Sequence, residues 1–85
     1  NLQNLGRLLI GEAVPEIIAN DLTITLEIAN TLRTSINLCE SLEDYVSRDL
    51  LTELLEETEE EVDWLESQQW LMTNSGLENY LQSMM

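Results

Sequence analysis

The chain has no histidine, one cysteine and one proline, and Lys plus Arg number 3 in 85 residues. Each scarcity excludes something. Without histidine there is no imidazole for a transition-metal site. A lone Cys39 makes no intrachain disulfide, which points to a reducing compartment and a cytoplasmic protein. The few basic residues argue against nucleic acid and against anionic membrane surfaces. No apolar run approaches the roughly 18 residues that span a bilayer, and no basic and apolar leader is visible. The first residue is Asn1 rather than methionine, which we read as a fragment or a processed product.

Acid is abundant. Asp plus Glu number 17, for a formal charge of −14. Such a chain repels itself when compact and favours cationic partners, either metal ions or a basic protein. Its length allows one small domain, which buries roughly 60% of its unfolded surface and is marginal on its own.

Periodicity predicts an all-α chain. Residues 1–12 contain two of the three glycines and no clean period. They read as an extended connection burying Leu5, Leu8, Leu9 and Ile10. Pro15 is tolerated in a first helical turn, so a helix is expected from Ala13 or Val14. Val14, Ile18, Leu22, Ala29, Leu32, Ile36 and Cys39 then keep the helical period to about residue 41. Leu51, Leu54, Leu55, Val62, Leu65 and Met72 keep it through a second helix over 44–74. Ser41 or Asp44 can cap that helix, and Gly76 suits its left-handed end. A short helix over 77–83 follows.

Each long helix carries a second apolar stripe: Ile17, Ile24 and Ile28 on the first, and Val46, Leu50, Trp64 and Leu71 on the second. A hairpin has one contact face and leaves both stripes bare. The pattern therefore predicts half of a four-helix bundle or a subunit within an oligomer.

The run LLEETEEEVDWLE (54–66) holds six glutamates and one aspartate. At 100° per residue most of these acids point to solvent, and Glu61 alone sits at the edge of the apolar face. Thr58 and Glu61 interrupt that face, as Thr25 interrupts the face of the first helix. A turn near 41–42 would set Thr25 opposite Thr58 and Leu22 opposite Glu61. Facing polar residues in a bundle are where metal sites are built. Neutral threonine hydroxyls are weak ligands, however. The alternative is that Thr25 and Thr58 bond their own i−4 carbonyls while Glu61 reaches solvent.

NLQNLG with LLIGE, DYVSRDLL (44–51), DWLE (63–66) and GLENYLQ (76–82) resemble the C-terminal half of bacterioferritin, a member of the ferritin-like superfamily. The resemblance covers nearly the whole chain. It implies helices three to five of a ferritin-like four-helix bundle: an antiparallel two-helix hairpin plus a short C-terminal helix, within a hollow iron-storing shell. Residues 1–12 would be the end of the crossover, 13–41 helix three, 44–74 helix four and 77–83 helix five. Helices one and two would come from elsewhere.

The resemblance also implies a ferroxidase centre, with one ligand position falling on Thr25 and a Glu-x-x-His pair falling on Thr58 and Glu61. None of the three keeps the family's residue, so Glu61 is the one candidate metal ligand left and no catalytic residue is assigned. The haem-holding methionine of the family lies on the missing second helix, so this segment alone is not expected to bind haem. Met72, Met84 and Met85 do not occupy that place.

Three functions compete. The chain is a subunit or fragment of an oligomeric iron-storage shell, inactive alone as a ferroxidase. Or it is half of a split ferroxidase completed by an N-terminal chain. Or it is an acidic helical interaction module without iron chemistry. Trp64 and Tyr45 are expected at subunit contacts, Cys39 in the core, and Arg33 and Arg48 in surface ion pairs.

Overall fold

The computed structural model describes the backbone of residues 2–84 and the side chains of residues 13–84. Three helices follow one another: α1 (Leu2–Ser41), α2 (Tyr45–Ser75) and α3 (Leu77–Ser83). α1 and α2 pack antiparallel, and α3 folds back against the end of α2. At about 1.5 Å per residue, α1 accounts for the length of the molecule, which measures 60 × 25 × 17 Å. The radius of gyration is 17.8 Å, against about 12 Å for a rounded domain of this length.

One expectation is corrected at the start. α1 begins at Leu2, not at Ala13 or Val14, and Pro15 lies inside it. Residues 2–12 thus continue the helix instead of forming an extended connection. Leucine, glutamine and arginine in this stretch are good helix formers. Pro15 removes one N–H, the one that would reach the carbonyl of Gly11, and the rest of the ladder carries through. The burial expected for Leu5, Leu8, Leu9 and Ile10 lies outside the described side chains.

The turn between the long helices is set by two local devices. α1 ends in a Schellman arrangement. The Asp44 N–H donates to the Cys39 carbonyl (2.8 Å) and the Glu43 N–H to the Glu40 carbonyl (3.1 Å). Glu43 takes the left-handed backbone there, φ 58°, where glycine is usual. Asp44 then caps α2 by accepting from the Ser47 N–H at 3.1 Å. Those hydrogen bonds from Ser47 hold the Asp44 carboxyl below the usual aspartate range. At the far end Gly76 turns the chain at φ 79° into α3.

The seam between α1 and α2 is thin. Ile18, Ala29 and Leu65 are its buried apolar residues, together with Thr25, and Tyr80 on α3 is the one other buried apolar residue among those described. Leu22, Leu32, Ile36 and Cys39 on α1 are half-buried, as are Leu51, Leu55, Val62 and Met72 on α2. Leu54 departs from expectation and is 49% exposed. Counted from Thr58, it leans about 40° off the seam, toward the uncovered side.

The two second stripes are bare. Ile17, Ile24 and Ile28 on α1 and Val46, Leu50, Trp64 and Leu71 on α2 are all exposed. Both stripes lie at negative angles from the seam, mostly about 60–140°. Because the helices are antiparallel, that puts both on the same flank of the hairpin, as one continuous open face. The opposite flank carries cross-hairpin ion pairs, Arg33 to Glu59 (3.1 Å) and Arg48 to Glu40 (3.3 Å), together with the exposed Leu26 and Trp70.

Candidate functional site

The polar interruption foreseen on both helices exists, and its parts are differently placed. Thr25 lies in the seam at 5% exposure, one turn from Ala29, which is fully buried. Only a small residue fits where the helices approach so closely. The Thr25 hydroxyl donates to the Asp21 carbonyl at 2.7 Å. Thr58 is half-buried on α2 and donates in the same way to the Leu54 carbonyl at 2.7 Å. Glu61 is exposed. Counted at about 100° per residue it stands at the edge of the apolar face, where the seam gives way to the open face.

The level of these residues also needs correction. The connection occupies 42–44, not 41–42, because the Schellman end takes in Leu42 and Glu43. Pairing across the hairpin therefore slides by about three residues, close to one helical turn. Thr25 comes level with the stretch of α2 from Thr58 to Glu61 rather than with Thr58 alone, and Leu22 no longer pairs with Glu61. The Arg33–Glu59 ion pair requires a shift in this direction.

The donor set does not fit a pair of iron ions. A site for two adjacent cations needs bridging carboxylates. Here two of the three positions offer neutral hydroxyls whose protons are committed to backbone carbonyls, and the third offers one carboxylate. Among the described residues no three His, Cys, Asp or Glu side chains converge as a metal cluster.

Of two further acids near this level, Asp21 escaped the sequence reading and Glu57 is among those read as pointing to solvent. Asp21 lies one turn before Thr25, about 40° toward the open face, and Glu57 lies one turn before Glu61 on the same side. Both are exposed. The angular count that placed Glu61 locates them too once it is carried past the seam edge. Glu57 also lines a shallow groove along α2 with Ser47, Leu50, Leu51, Glu53 and Leu54.

Remaining expectations divide simply. Arg33 and Arg48 are ion-paired as foreseen, Arg48 to both Glu40 and Asp49 (3.0 Å). The hydrogen bond to Asp49 leads in raising the Arg48 pKa. Its guanidinium lies 4.7 Å from the centre of the Tyr45 ring, a cation–π contact that charge counting does not reveal. Cys39 is half-buried on the seam. Among the described residues no helix is long and apolar enough to cross a membrane.

Comparison with known proteins agrees with this architecture. A family model described as a ferritin-like domain matches residues 2–74. A bacterial ferritin of Synechocystis is 44% identical over 77 residues, covering 89% of this chain and 49% of the relative. A bacterial ferritin of Pseudomonas aeruginosa is 46% identical over 74 residues, 86% and 48% of the two chains. A bacterioferritin of Brucella melitensis is 38% identical over 80 residues, 94% and 50%. The chain thus spans about half the length of the curated relatives it matches. An antiparallel helical hairpin with one flank bare, matched along nearly all its length, belongs to the ferritin-like domain family.

Proposed function

We propose that this chain acts as the C-terminal half of a bacterioferritin-type subunit in an oligomeric iron-storage shell, and that its half of the ferroxidase centre is lost. Helices one and two come from an N-terminal segment or a separate chain and cover the open face. The hairpin supplies packing and an acidic surface that concentrates iron, its cargo. This segment alone does not bind haem. A reducing, cytoplasmic setting goes with the single free thiol.

One observation carries the reading. The three positions on which the resemblance places the family's iron ligands hold two threonines with committed hydroxyls and one exposed carboxylate, Glu61. Glu61 remains the one residue here that could touch an iron ion, and alone it cannot hold two.

The test is ferrous-ion oxidation by the assembled protein, alongside its size on gel filtration. A shell-sized particle that oxidises iron slowly, with no stoichiometric fast phase, is the expected result. Fast oxidation of about two irons per bundle, abolished by Thr25→Ala and Glu61→Ala, would establish a split ferroxidase instead. A small dimer indifferent to iron would favour an acidic interaction module.

A further inference from the structure

We draw no further inference here: the strongest candidate, the exposed apolar surface that Leu26 and Trp70 give the flank of the ion pairs, carries nothing because nothing in the structure shows what covers it.

Discussion

The Tyr80 hydroxyl donates to the Gln68 side-chain carbonyl at 2.7 Å, tying α3 to α2 across twelve positions of chain. Tyr80 is 3% exposed, and its ring is the only buried side chain of α3. A seven-residue helix is too short to persist on its own. Its place therefore rests mainly on this residue, with the half-buried Leu77 and Leu81 adding to it. Tyr80→Phe keeps the ring and loses the bond, at about 1 kcal/mol. Tyr80→Ala loses both, at about 3–5 kcal/mol. Hydrogen exchange in α3 is the direct readout, with Ala freeing its amides and Phe leaving most of them protected.

The turn makes a stabilising substitution available. Glu43 holds a left-handed backbone without glycine's freedom, at about 1–2 kcal/mol. Part of that gain is offset by the greater freedom glycine has when unfolded, about 0.4–1 kcal/mol. Glu43→Gly should raise the thermal midpoint by a few degrees. A lower midpoint would mean that the Glu43 side chain makes a contact worth more than the strain.

Asp44 makes the stability of α2 depend on pH. Its folded carboxyl titrates below the unfolded one because it accepts hydrogen bonds from Ser47. The contribution is complete above the unfolded aspartate value of about 3.9 and fades as pH falls through the folded value. Asp44→Asn keeps an acceptor without the charge. It should remain close to the parent in stability and lose that acid-side dependence. Asp44→Ala should be less stable at neutral pH, and the two variants compared by thermal melts from pH 7 to pH 3 separate cap from charge.

Tight packing at Ala29 and Thr25 predicts different outcomes for two substitutions. Ala29 is fully buried, so Ala29→Leu overpacks the seam and should cost about 1–3 kcal/mol. Thr25→Val keeps the shape and removes a hydroxyl that serves only its own helix, so urea denaturation should show a change below about 1 kcal/mol. A large loss in Thr25→Val would mean the hydroxyl has a task beyond the Asp21 carbonyl.

Restoring the family's ligands is the sharpest functional prediction. Thr25→Glu, Thr58→Glu and Glu61→His together should give fast ferrous oxidation in an assembly containing the N-terminal half, and none in the chain alone. Stopped-flow absorbance after mixing with ferrous ion reads the difference. Continued slow oxidation in the completed assembly would mean the two halves do not align these positions.

The α1 and α2 contact faces were legible because apolar spacing over many turns leaves little choice: Ile18, Ala29, Leu65 and their neighbours sit where the period put them. Gly76 announced its own turn. The start of α1 was hidden because Pro15 suggests a boundary: in a helix interior its ring removes a hydrogen bond and crowds the carbonyl four residues back, yet α1 runs through it with good helix formers before it. The register slipped because Glu43 adopts a conformation that a reader expects of glycine, which lengthened the connection and moved Thr25 toward Glu61. Glu61 itself was placed at the correct edge of α2, but an edge residue is exposed until something covers the open side. Asp21 stands alone among neutral residues on α1, so no charge pattern marks it.

The tip of the hairpin has a kinetic consequence. The Schellman end, the Asp44 cap and the Arg48–Glu40 bridge all join residues close along the chain, and such local contacts cost little loop entropy to form. Closure can begin at residues 40–48 and advance along the seam in both directions, through Arg33 and Glu59 toward Ile18 and Leu65. The two long helices would then be aligned early, and the uncovered side would be the last surface to find shelter.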